Sequence, residues 1–329
     1  MIDLESKMTN KNKLLKTFVK LPRKILKKKY NMYTDKYINL SGQNANDYIR
    51  KMICERPQGL MVSKFGTIEL HNVCCFDATE KGLSLNNFLM ACTGEISLYP
   101  EVTMQSLCSN AGFFPRNITL GYQYKNLVIS DMKEIDILGS YLKEEEYFKN
   151  HLKHCVKVDL EGYYAPFLWE NPWSSALRGK KILVIHPFVD SIEKQYRNRS
   201  KLFENEEVLP EFGDLILIKA VQSIAGNDTG FTNWFEALEY MKNKIDNVDF
   251  DIALIGCGAY GMNLAAHIKR RGKIAIHMAG WTQMLFGIYG NRWIEDRPEY
   301  TKYINSYWIR PSENEKPFGA EKIENACYW

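Results

Sequence analysis

Residues 249–278 read DFDIALIGCGAYGMNLAAHIKRRGKIAIHM. An apolar run ends in Gly256-Cys257-Gly258-Ala259-Tyr260-Gly261, a helical stretch follows, and a second apolar run closes the unit. A strand, a G-x-G-x-x-G turn, a helix and a strand form one βαβ element. Gly256 permits a tight turn, Gly258 lets backbone approach a phosphate, and Gly261 lets helix and strand pack closely. The helix that starts there offers unpaired N–H groups and a positive dipole end to an anion. A dinucleotide site also needs an acidic residue roughly 20 positions on, at the end of the next strand. Position 277 is histidine, and no Asp or Glu occurs between Asp251 and Glu295. NAD is therefore not expected. A nucleoside diphosphate or another phosphate ligand, or a purely structural turn, stays open.

The flanking sequence extends the same rhythm. KKILVIHPF and GDLILIKAVQS are apolar runs of strand length, separated by the helical SIEKQYRNRSKLF and followed by the helical WFEALEYMKNKI. Upstream, GLMVSK, IDILGSY and VKVDL read as strands among the helical stretches NANDYIRKMICER, EVTMQSLCSNAGFFP, RNITLGYQYKNLVISDMKE and KEEEYFKNHLKH. Strands apolar on both faces and alternating with helices predict an α/β, Rossmann-like fold. Its sheet is expected to be mostly parallel and covered by helices on both faces. Ligands on such sheets sit at the carboxyl ends of the strands. That rule selects His186, Gln222, the 256–261 turn and the loop after His277. The aromatic stretch GYYAPFLWENPWSSALRGK breaks the pattern and divides a first half, 31–178, from a second, 179–329. The two halves are compatible with one catalytic domain.

Composition bounds the class. Of the 329 residues, 45% are hydrophobic and 13% aromatic, enough for a large core. Segments of 18 apolar residues are absent from the sequence, and the N-terminus lacks a secretory core, so a cytoplasmic protein is expected. The eight cysteines form no C-x-x-C and read as reduced, packed thiols. The net charge of +4 conceals an asymmetry, because residues 1–30 carry +8 and leave the body at −4. A body of that sign argues against nucleic acid as a partner. Within the tail, residues 7–29 mix cations with apolar residues at helical spacing, which suits an anionic membrane surface.

A second constellation lies at residues 62–73, VSKFGTIELHNV. A strand delivers Lys64 to Gly66, and Glu69 falls in the first turn of the next helix, where a carboxylate is favoured. Lys64 can neutralise a diphosphate; Glu69 can act as a base or ligate a metal. This stretch resembles the R-F-G-D-G-E signature of GT-D-type bacterial glycosyltransferases. Together with NAGFFP, LWENPWSSALRGKKILVIHPF, KAVQSIAGN and the glycine-turn unit through Trp293, it looks like a group of proteins associated with bacterial surface-polysaccharide loci, a resemblance spanning roughly residues 55–293. The resemblance implies a GT-D-like fold, a nucleotide-sugar donor, a glycan or lipid-linked acceptor, and work in capsule or other surface-polysaccharide synthesis. It also implies Mg²⁺ or Mn²⁺ at the Asp-x-Glu pair. Here position 67 is threonine, which leaves Glu69 alone as a metal ligand, and position 64 is lysine, which loses the planar fork of arginine.

With that resemblance, Glu69, Lys64 and His186 are the expected catalytic residues. Gly66, Thr67, Gln222, Gly256, Gly258, Tyr260 and Gly261 are expected at the nucleotide, and Asn110, Asn171, Trp173 and Gln283 at the sugar or acceptor. Gln195, Asn227, Arg178 and Trp281 are further polar or aromatic candidates. Two other functions fit the glycine turn: a non-catalytic nucleotide- or sugar-phosphate-binding subunit, and an NAD(P)-dependent oxidoreductase or epimerase. A basic tail would hold a soluble transferase at the inner membrane face, beside a lipid-linked acceptor.

Overall fold

The protein was analysed as a computed structural model, which describes residues 30–56, 59–82, 84–322 and 326–329. Seven strands form one sheet: β1 (Leu60–Lys64), β2 (Ile137–Gly139), β3 (Val156–Val158), β4 (Lys181–His186), β5 (Asp214–Lys219), β6 (Ile252–Ile255) and β7 (Ile274–His277). Their order is β3-β2-β1-β7-β6-β4-β5, and every pairing is parallel. The expected α/β, Rossmann-like architecture is present, with a sheet that is wholly parallel. Strands from both stretches of sequence share it, joined where Leu60, Met61 and Val62 of β1 pair with Ile274, Ala275 and Ile276 of β7.

Alternation along each strand supplies two cores. Met61, Leu183, Ile185, Ala253, Ile255 and Ala275 enter one, and Leu60, Val62, Ile182, Val184, Leu254 and Ile276 the other. Burying each large aliphatic side chain contributes about 2 kcal/mol, so polar helices alone could not hold the sheet. On the first face lie the helices Thr67–Lys81, Pro100–Ala111, Ile118–Asp131, Trp234–Asp246 and Gly261–Arg270; on the second lie Gly42–Glu55, Val189–Arg197 and Thr282–Leu285. Connections that step toward β3 use the first face, and those that step toward β5 use the second. A single crossover hand requires that division.

Opposite exits matter at the carboxyl edge. The chain leaves β1 and β6 toward the first face but leaves β7 and β4 toward the second. Loops therefore splay apart, and a crevice opens between them.

One expected helix is largely replaced. In KEEEYFKNHLKH the chain makes a 3₁₀ turn, Lys143–Phe148, and only four α-helical residues, Lys149–Leu152. Glu145 is fully buried, and its carboxylate accepts from the Tyr141 and Leu142 amides, 2.9 Å each, and from the Ser140 hydroxyl. That side chain anchors the backbone to the end of β2 and delays the helix.

Candidate functional site

A cavity of about 660 Å³ lies at the carboxyl edge of the sheet, a size that suits a nucleotide or nucleotide sugar. Residues just beyond each of the seven strands reach it: Gly66, Tyr141, Leu160, Pro187, Val221, Cys257 and Ala279.

At β1, Ser63 turns inward, its hydroxyl 3.0 Å from His277 Nδ1, and Lys64 emerges into the cavity. Lys64 Nζ lies 3.5 Å from the Tyr141 hydroxyl and 5.3 Å from the centre of its ring. Tyr141 donates in turn to the Phe65 carbonyl at 2.8 Å. Burial, with the negative charges of Glu69 and Glu145 behind it, keeps that hydroxyl protonated well above the usual tyrosine range. Gly66 precedes the helix Thr67–Lys81 with ordinary extended backbone, φ −77° and ψ 145°. Its missing side chain serves space, because a Cβ there would overlap Glu69 Oε2 and stand 2.5 Å from Cδ. The carboxylate thus folds back over the helix N-terminus and faces the cavity beside Lys64 and Thr67.

At β6 the three glycines have three separate reasons. A Cβ on Gly256 would stand 2.5 Å from the Ala279 carbonyl oxygen and 2.7 Å from both His186 Cδ2 and Thr282 Oγ1. Gly258 adopts φ +56°, in the left-handed region that favours glycine. Gly261 packs against the His277 ring and does not line the cavity; Gly256, Cys257, Gly258 and Tyr260 do. Tyr260 stacks on Trp234 with ring centres 4.9 Å apart, which fixes the turn.

His186 ends β4 inside the cavity and is almost fully buried. The Phe188 amide donates to its Nδ1 at 3.0 Å, and burial pushes its pKa down to about 3. A neutral ring accepting at Nδ1 carries its proton on Nε2, so His186 is a hydrogen-bond donor at neutral pH rather than a base. Gln222 lines the same wall, and beside it Ser223 donates to the Gly112 carbonyl.

The lining also includes an aromatic and basic group that the strand-end rule selected only in part. Trp281 stacks on Tyr164, with ring centres 3.8 Å apart and planes 12° from parallel. Beyond it a π-turn, Arg292–Asp296, is closed by the Arg297 amide donating to the Arg292 carbonyl at 2.9 Å. The wide turn brings Arg292, Asp296 and Arg297 to the cavity. Arg292 donates to the Tyr328 hydroxyl at 2.9 Å, and its guanidinium carbon lies 4.5 Å from that ring's centre.

Of the sequence-selected acceptor residues, Asn110 and Gln283 line the cavity. Gln283 is wholly buried, and its amide donates to the Tyr328 carbonyl at 3.2 Å. Asn171 and Trp173 stand elsewhere. Trp173 has no exposed surface; its indole N–H donates to the Tyr163 carbonyl and its amide to Asn46, both at 2.7 Å. The Asn171 carbonyl accepts from Asn46 at 3.1 Å. Both fasten the helix Gly42–Glu55 to the second face, because a flat indole fills that gap. Gln195 bonds the Gly287 and Tyr307 carbonyls, Asn227 those of Ile224 and Phe318, and Arg178 pairs with Glu207. None of these three lines the cavity.

The donors do not fit a divalent cation held by protein alone. Among the described residues no three His, Cys, Asp or Glu side chains converge, and Thr67 offers a neutral hydroxyl beside the single carboxylate of its loop. What the cavity does combine is two carboxylates, Glu69 and Asp296, with glycine-turn backbone, cations and aromatic faces. No protein-family model, curated protein or solved structure matches the chain.

Proposed function

We propose that the chain is a glycosyltransferase that moves a sugar from a nucleoside diphosphate sugar to a hydroxyl of a glycan or lipid-linked acceptor. One observation carries this reading: the Lys64–Glu69 loop of β1 and the glycine turn of β6 line a single cavity. A diphosphate needs cations and backbone N–H groups, an attacking hydroxyl needs a base, and a reactive donor needs shelter from water. Lys64 and the glycine turn serve the first need and Glu69 the second. The Tyr164–Trp281 stack serves the third and offers an apolar face to sugar or base. His277, at the position where a dinucleotide enzyme anchors ribose, is buried beneath Gly261, which weighs against NAD(P).

A nucleotide-sugar panel read by thermal shift, with and without Mn²⁺, tests the donor class. One donor is expected to raise the melting temperature and to be consumed when a suitable acceptor is added. Glu69→Gln should cut transfer by roughly 10²- to 10⁴-fold with donor binding and melting temperature retained. Unchanged transfer in Glu69→Gln would remove the base, and a panel without any shift would remove the reading.

The basic tail, residues 1–29, lies outside the described residues. No helix among the described residues is long and apolar enough to cross a membrane. The charge of the tail supports peripheral attachment at an anionic surface, where each cation near the surface contributes about 1 kcal/mol. Deleting residues 1–30 is expected to release the protein from anionic vesicles in a flotation assay, with its melting temperature kept. Equal flotation of the truncated chain would rule out that role.

A further inference from the structure

The cavity contains its own solution to a charge problem that transfer poses. As the bond from the anomeric carbon to the diphosphate oxygen breaks, its electron pair stays on that oxygen. The acceptor oxygen forms the new bond to carbon, and its proton passes to the Glu69 carboxylate. The leaving diphosphate therefore gains one negative charge inside a site partly closed to water, where compensation must come from positioned cations or dipoles.

Two cations on the cavity wall are each steered by a tyrosine on the same wall. Lys64 is held by Tyr141 through the 3.5 Å approach to its hydroxyl and the ring beneath its Nζ. Arg292 is held by Tyr328 through the 2.9 Å hydrogen bond and the ring 4.5 Å from its guanidinium carbon. Held rings cost the cations rotamer freedom before ligand arrives, so little reorganisation is left for the reaction. The lining also carries Arg297, which pairs with Glu299 at 3.5 Å, and the carboxylates of Glu69 and Asp296. Thr67 matters here, because a carboxylate in its place would set a second negative group beside Glu69, the setting in which a divalent cation is held.

We propose that Lys64 and Arg292 hold and neutralise the leaving nucleoside diphosphate in place of a divalent cation. Donor binding and transfer then proceed in the presence of a chelator. This rests on the transferase reading above and specifies how its anion site works.

The test uses the purified full chain and free nucleoside diphosphates (UDP, GDP, CDP and dTDP) titrated calorimetrically in excess EDTA and again in Mn²⁺. One diphosphate is expected to bind in EDTA with an affinity within about threefold of that in Mn²⁺. Lys64→Gln and Arg292→Gln should each weaken it by roughly tenfold to a hundredfold, the worth of one charge-assisted hydrogen bond. Tyr328→Phe, which keeps every charge and most packing, should weaken it by a smaller factor and guards against a folding defect in the arginine variant. Thr67→Asp should make binding respond to Mn²⁺. Binding in Mn²⁺ but not in EDTA would overturn this inference and leave the transferase reading standing. Equal affinity of parent, Lys64→Gln and Arg292→Gln would also overturn it. Absence of binding in both buffers would overturn the inference and the reading together.

Discussion

Gly66→Ala is expected to reduce transfer about a hundredfold while leaving the protein folded. The backbone at Gly66 has φ −77° and ψ 145°, which alanine adopts without strain. As the residue before the first helical position, it loses little stability on the change, about 1 kcal/mol at most. The three atoms nearest the added methyl all belong to one neighbour, Glu69. The methyl would overlap Glu69 Oε2 and stand 2.5 Å from Cδ and 2.8 Å from Oε1, all at the flexible end of one side chain. The glutamate keeps its charge and its place in the sequence but must swing off the helix N-terminus. Misplacing a reacting group by about 1 Å can cost two orders of magnitude in rate. Glu69→Gln removes the charge and keeps the position, whereas Gly66→Ala removes the position and keeps the charge. Loss in both variants would show that the carboxylate must stand where it does. Full turnover in Gly66→Ala, with a melting temperature within a few degrees of the parent, would mean that Glu69 acts from no fixed position, and its role as base would fall.

The seven strands were legible because most are apolar runs whose two faces are both buried, as in ILVIH of β4, and the partly buried edge strands β3 and β5 keep enough apolar residues to be read. The sheet order was not. Nothing in GLMVSK announces that β1 lies against β7, because that choice is made by the packing of Leu60, Met61 and Val62 on residues more than 200 positions away. The site followed the strands. His186, Gln222 and the glycine turn reach the cavity because a residue at the end of a parallel strand has nowhere to point but the carboxyl edge; Lys64 was picked out separately, from VSKFGTIELHNV. The same rule applied to IDILGSY would have found Tyr141, two residues past β2. Arg292, Asp296, Arg297 and Tyr328 belong to a π-turn and coil that follow the last strand, where no periodicity betrays position. For the first three the only signal was the mixture of charge and aromatics in NRWIEDRPEY, and Tyr328 had none. Asn171 and Trp173 were selected but stand outside the cavity, for the opposite reason. Their chemistry suits a sugar, but a tryptophan that meets its one polar demand with a backbone carbonyl packs as well in a core.

Gly261→Ala is expected to destabilise the fold by about 2 kcal/mol or more, against the preference of its helix. Alanine is the better helix former by roughly 1 kcal/mol, so at an exposed site the change would stabilise. Here the new methyl would overlap His277 Nε2 and stand 2.5 Å from Cδ2 and 3.1 Å from Cε1. That ring has no room to turn. It is 4% exposed, its Nδ1 meets the Ser63 hydroxyl at 3.0 Å, and its carbonyl accepts from Tyr163. Overpacking of a fixed core costs about 1–3 kcal/mol and occasionally more, so the clash outweighs the propensity. A double-mutant cycle with His277→Ala isolates the cause, since the two changes should cost less together than separately. The same histidine gives the cycle a pH signature. Burial, with Lys64 as a lesser contributor, pushes the His277 pKa down to about 3 from an ordinary 6.5. Below pH 6.5 the unfolded chain therefore binds a proton that the native ring refuses, and stability falls as pH drops toward 3. His186 adds a parallel term that every variant keeps. Unfolding curves from pH 7 to pH 4 should be flatter for His277→Ala than for the parent. Equal slopes, or full additivity in the cycle, would show that helix and ring do not meet as described.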